Sequence, residues 1–169
     1  MSTTTTTIVT ATNTMESTPI VLIGQTARVA KFMVAKLLPE YEVFQVIKFI
    51  SDIERAKGEV TTIMTGGEPA RDIDNLGSHN FSRLPKHIVF GKGYQIEYLE
   101  AVRDAVGGVD SGTSWYWAPL AEGERPPPVD SLTDEQISFA TDRISANVKR
   151  VLSSVQQAGK EGTDGIYEL

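Results

Sequence analysis

Two short segments of this sequence carry the residue types from which an anion site is built, Gly24-Gln25-Thr26-Ala27-Arg28 and Gly91-Lys92-Gly93-Tyr94. Each follows a short apolar run and precedes a stretch with helical spacing, so each reads as a turn from strand into helix. A helix start presents unpaired N–H groups and a partial positive charge, and glycine lets a ligand approach the backbone closely. Arg28 and Lys92 add full charges. The chemistry these pieces define is the binding of a phosphate or carboxylate group. The plainer reading is that both glycines only permit tight turns.

Acid–base candidates are fewer. His79 stands beside Asn80 and comes within reach of Asp72 or Asp74 if the segment 67–86 folds back, which would suit a general base. A solvated loop histidine is the alternative. Lys92, Tyr94, His79 and an acid such as Asp110 complete the set of catalytic candidates, but nothing in their spacing orders them into a constellation. His87 begins a strand and reads as structural. The chain has no cysteine, which removes thiolate ligands and thiol nucleophiles, and no metal site is expected. Trp115-Tyr116-Trp117 alternates faces on a strand. That places Trp115 and Trp117 on one side and Tyr116 on the other, either as core or as a stacking wall for a flat ligand or a second copy.

The elements that must position these residues follow from patterning. Ile20 to Ile23 is a continuous apolar run, the signature of a strand covered on both faces. Arg28 to Leu38 places Val29, Ala30, Met33, Val34 and Leu37 on one helical face, and Pro39 ends it. Tyr41 to Ile47 is a second strand. Ser51 with Glu54 reads as a capping box for a helix whose buried stripe is Ile53, Ala56, Val60, Ile63 and Met64. The segment 67–86 has no period and reads as a long loop. His87 to Phe90 is a third strand, Tyr94 to Val106 a third helix and Thr113 to Ala118 a fourth strand. After a Pro-rich loop, Thr133 and Gln136 form a second capping box. The long helix it opens has Ile137, Phe139, Ala140, Ile144, Val148, Val151, Leu152 and Val155 as its apolar face. Ile166 to Leu169 is a fifth strand.

Strands alternating with helices predict an α/β domain, a three-layer parallel sheet of about five strands with right-handed crossovers. The flavodoxin-like order 2-1-3-4-5 is preferred, with the Rossmann-like order 3-2-1-4-5 as the alternative. In such sheets ligands bind beyond the carboxyl ends of the strands at the point where the order reverses. The order 2-1-3-4-5 puts that point between strands one and three, which are the two strands ending in Gly24 and Gly91. The candidate binding residues are therefore Gly24, Gln25, Thr26, Arg28, Gly91, Lys92 and Gly93.

Ile20-Val21-Leu22-Ile23-Gly24 followed by a helix resembles the first βα unit of NAD(P)-binding Rossmann proteins. The runs VLIGQTARVAKFMVAKLLPEYEV, GSHNFSRLPKHIVFGKGY and DGIYEL are similar to a group of small Rossmann-like proteins of filamentous fungi, from residue 19 onward. The resemblance implies a nucleotide-type fold and brings no catalytic residues with it. The chain departs from the dinucleotide fingerprint, which needs glycine where Thr26 and Val29 stand. The second strand ends in Ile47-Lys48 and not in the acidic residue that would hold a ribose. Lys48 would instead suit the 2′-phosphate of NADP.

Other templates are missing. The sequence holds no phosphate-binding GxxxxGK[ST] loop, no G-x-S-x-G elbow, and no Tyr followed four residues later by Lys. Sixteen Lys and Arg against 22 Asp and Glu give a net charge of −6, which argues against nucleic acid as a partner. No apolar run is long enough to span a bilayer, so no membrane association is expected. Residues 1–18, rich in Thr and Ser and without Lys or Arg, read as a disordered tail and not a targeting segment, and 19–169 as one domain. A cytoplasmic setting fits the lack of cysteine.

Three functions fit this reading. The first is a small-molecule or nucleotide-binding domain with a degenerate fingerprint. The second is an interaction or scaffolding module that lost its cofactor, with a homodimer as one form. The third is an enzyme of modest chemistry, an isomerase, dehydratase or lyase, acting on an organic metabolite.

Overall fold

The computed structural model describes residues 16–48, 53–70, 76–107, 112–125 and 127–169, with Lys48 described for its backbone only. Residues 1–15 of the expected tail, the proposed cap Ser51, and Asp72, Asp74 and Asp110 lie outside the described residues. The elements are β1 (Thr18–Gly24), α1 (Ala27–Leu37), β2 (Tyr41–Lys48), α2 (Ile53–Met64), β3 (His87–Phe90), α3 (Ile96–Val106), β4 (Ser114–Trp117), α4 (Asp134–Gln157) and β5 (Ile166–Glu168). The strands form one sheet in the order β2-β1-β3-β4-β5, every neighbouring pair parallel. This is the flavodoxin-like order, and it excludes 3-2-1-4-5.

Each central strand is apolar on both sides because both sides are covered. Ile20, Leu22, Val89 and Tyr116 face α1 and α4, packing with Met33, Leu37, Val148 and Leu152. Val21, Ile23, Ile88, Phe90 and Trp115 face α2 and α3, against Ala56, Val60, Leu99 and Val102. Burying each large apolar side chain contributes about 1.5–3 kcal/mol.

The helix distribution departs from expectation in one respect. The chain steps one way along the sheet from β1 to β2 and the other way at each later step. With α1 on one face and α2 and α3 on the other, the first three crossovers share a hand. The fourth helix packs beside α1, so the β4–α4–β5 crossover has the opposite hand to the other three. Parallel crossovers are right-handed in all but a few per cent of cases, and the long connection between β4 and α4 is what permits this exception. The gain is coverage. Five strands spaced about 4.8 Å apart need about two helices of ~10 Å diameter per face, and α1 alone would leave Val89 and Tyr116 bare.

The fourth helix also rolls about its axis relative to the apolar pattern. Phe139 is 69 % and Ile144 43 % exposed, while Thr141 and Ser145 are buried. Both hydroxyls are satisfied within the helix, Thr141 Oγ1 donating to Ile137 O at 2.8 Å and Ser145 Oγ to Asp142 O at 3.1 Å, so burying them leaves no orphan donor. Phe139, Ala140 and Ile144, expected inward, therefore face outward. The start of the helix is as expected. Thr133 Oγ1 accepts from Gln136 N at 3.2 Å and Gln136 Oε1 accepts from Thr133 N at 2.8 Å, a complete capping box. Replacing Thr133 by alanine is expected to cost about 1 kcal/mol, read as a lower urea midpoint at unchanged slope.

The two sheet edges differ. The segment after residue 76 covers part of the edge at β2, with Ser78 N and His79 N donating to Val43 O and Phe44 O at 2.9 and 3.0 Å. Gly77 is required there. Its φ is +96°, and a β-carbon would stand 2.6 Å from Phe44 O. At the other end of the sheet β5 is the outermost strand.

Candidate functional site

The two glycine turns are neighbours. Gly91 N donates to Ile23 O at 2.8 Å, tying the turn after β3 to the end of β1. Among the described residues nothing stands within 4 Å of where a Gly24 β-carbon would be, whereas Gly93, at φ +107°, lies under the Gln25 side chain. A β-carbon on Gly93 would meet Gln25 Nε2 at 3.0 Å. Thr26 caps α1, its hydroxyl accepting from Val29 N at 3.3 Å. The residue standing where the dinucleotide fingerprint has glycine thus occupies one of the helix's own amides.

The connection between β4 and α4 crosses this rim, and Glu124 within it and Asp134 at the start of α4 meet the two candidate cations. Arg28 Nε and Nη2 donate to Asp134 Oδ1 at 3.1 and 2.7 Å, and Arg28 Nη1 donates to Val129 O at 3.0 Å. The Lys92 ammonium pairs with Glu124. Hydrogen bonds from Lys92 and from the Ala121 amide hold the Glu124 carboxyl below the usual carboxylate range. These pairs are exposed, so each adds little stability. They do place carboxylates of the chain itself where an anion would bind.

The candidates for acid–base chemistry are not brought together. Lys92 and Tyr94 follow β3. His79 sits at the outer edge of β2, two strands away, with φ 54°. Its ring lies against Phe81, and among the described residues neither ring nitrogen has a hydrogen-bond partner. Tyr94 is 4 % exposed, and burial pushes its hydroxyl pKa upward, away from neutral acid–base work. Trp115 is fully buried in the core between the sheet and α2 and α3, and the half-buried Trp117 donates from Nε1 to Tyr94 O at 2.7 Å. Trp115 is therefore core and does not form a stacking wall.

Sequence reasoning did not reach Glu124 and Asp134, which lie 32 and 106 residues from their cations. No local signal reports a pairing at such separation. It also passed over the environment of His87. This ring is fully buried on the α1–α4 side, with Nδ1 2.8 Å from Tyr116 Oη and Nε2 3.3 Å from Glu161 Oε1. The Glu161 contact lacks hydrogen-bond geometry, so among the described residues Nε2 has no hydrogen-bond partner.

No protein-family model matches the chain, and no curated protein or solved structure matches it. Among the described residues no helix is long and apolar enough to cross a membrane. The class defined by the fold is a parallel α/β sheet of flavodoxin-like order.

Proposed function

We propose that this chain is a protein-interaction module built on a nucleotide-binding type of frame. One observation carries the reading. At the switch point, where this architecture receives small ligands, the side chains present are the molecule's own: Gln25 over Gly93, Asp134 on Arg28 and Glu124 on Lys92. The resemblance to small fungal Rossmann-like proteins, a cytoplasmic setting and a homodimer as one form belong to this proposal as sequence readings.

The second reading is a small-molecule or nucleotide site at the same rim, with NADP as one candidate, in which Glu124 and Asp134 yield to a phosphate. It is favoured by the absence of any described residue within 4 Å of a Gly24 β-carbon and by the pairing of the two turns.

A thermal-shift panel with NADPH, NADH, FMN and mononucleotides separates the two. A ligand present at 100 times its Kd adds about 2.7 kcal/mol, a rise of about 5–10 °C for a domain of this size. The interaction reading expects a flat panel, together with a stoichiometric protein partner recovered by cross-linking. A rise of that size with any panel member, abolished in Arg28→Ala or Lys92→Ala, would transfer the assignment to the second reading.

A further inference from the structure

Resting on the protein-binding reading, we propose that the open edge of β5 and the groove beside it bind an extended acidic segment of a partner protein, added as a sixth strand. Of the two sheet edges, β2 is met at Val43 and Phe44 by the amides of Ser78 and His79, while among the described residues nothing pairs with the outer side of β5. Leu169 N donates to Trp117 O, and Trp115 N to Gly165 O. By the alternation of a parallel ladder, the amides and carbonyls of Ile166 and Glu168 therefore point away from β4. An extended peptide would satisfy them, the means by which strand addition gains affinity.

The groove identifies the peptide. A hollow of about 310 Å³ lies between the second half of α4 and β5, walled by Val151, Val155 and Tyr167, with Arg150, Lys160 and Glu168 at its rim. The described partner of the Arg150 side chain is the neutral Asn147 Oδ1, at 2.7 Å, and no described residue holds the Lys160 ammonium. Two cations against one acid leave the rim net positive on a chain whose overall charge is −6. Apolar walls under a cationic rim match a strand that alternates apolar and acidic side chains. A second copy added edge to edge across a two-fold axis normal to the sheet would instead bring Arg150 and Lys160 of both copies together, a like-charge contact.

The test uses the full chain and blocked hexapeptides alternating valine with glutamate or valine with lysine. Titration followed by amide NMR is expected to shift Ile166 and Glu168 with the glutamate peptide and to bind the lysine peptide about tenfold or more weakly. Glu168→Pro deletes an outward N–H without touching the ladder to β4, and Arg150→Glu/Lys160→Glu reverses the rim. Both variants are expected to keep the melting temperature and to lose about tenfold or more in affinity for the glutamate peptide. Equal binding of the two peptides, no binding of either, or wild-type affinity in the variants would overturn the proposal, as would sedimentation of the free chain as a dimer that Glu168→Pro dissociates. A partner recovered by cross-linking and retained by Glu168→Pro would sink this inference and leave the interaction reading standing. A flat cross-linking result would sink both.

Discussion

Replacing Trp115 with alanine is expected to lower the folding free energy by about 3–5 kcal/mol, a large part of the roughly 5–15 kcal/mol that holds a domain together. The side chain is fully buried in the layer formed with Ile88, Phe90, Leu99 and Val102, and a cavity there cannot be refilled without moving α2 or α3. Urea denaturation should show the midpoint falling at constant slope. Trp115→Phe provides a control. It removes an indole Nε1–H that is buried with no acceptor among the described residues, a group that itself costs about 1–3 kcal/mol, so its loss should be less than half that of the alanine variant. A cost below about 1.5 kcal/mol for Trp115→Ala would mean that the indole is not core, and would reopen its reading as a ligand-stacking surface.

The second large effect is a pH dependence centred on His87. Burial first, and then the neighbouring Lys86 ammonium, lower its pKa from 6.5 to about 4. The groups facing it are Tyr116 on β4, Tyr41 on β2 and Glu161 in the turn before β5. Because the folded pKa is depressed, the unfolded chain binds more protons between pH 6.5 and 4. The contribution is complete above the unfolded pKa and is lost as pH falls through the folded one. Its limit is about 3 kcal/mol. Carboxylates titrate in the same window, so the quantity to measure is the difference between wild type and His87→Gln in urea midpoint from pH 7 to pH 4. The wild type should lose more stability on acidification than the variant. Parallel curves would show that the ring is solvated or already charged in the folded state.

Much of the frame was legible in the sequence because its signals are local. Continuous apolar runs ending in Gly24 and Gly91 marked β1 and β3, and Thr133 with Gln136 marked the start of α4. Four strand–helix units pointed to a parallel sheet and left two strand orders open, of which the preferred one is present. What escaped was set by contacts distant in the chain. Apolarity alone turned Phe139 and Ile144 inward. The hydroxyls of Thr141 and Ser145 are quenched by their own helix and can replace them at the interface, a substitution invisible to a hydrophobic pattern. The hand of the last crossover follows from the need to cover a whole sheet face, which no window of sequence contains. At the rim, the glycines and cations were readable, but the acids that meet them arrive from the strap after β4 and from the first residue of α4.

That strap has a consequence for how the molecule is made. Until α4 emerges from the ribosome, Ile20, Leu22, Val89 and Tyr116 have only α1 above them, and the half-built sheet keeps a greasy side wet through most of its translation. That side is closed only by the last helix, which packs beside α1. A nascent chain stalled before Asp134 should therefore be a client for chaperones, while the released protein is not.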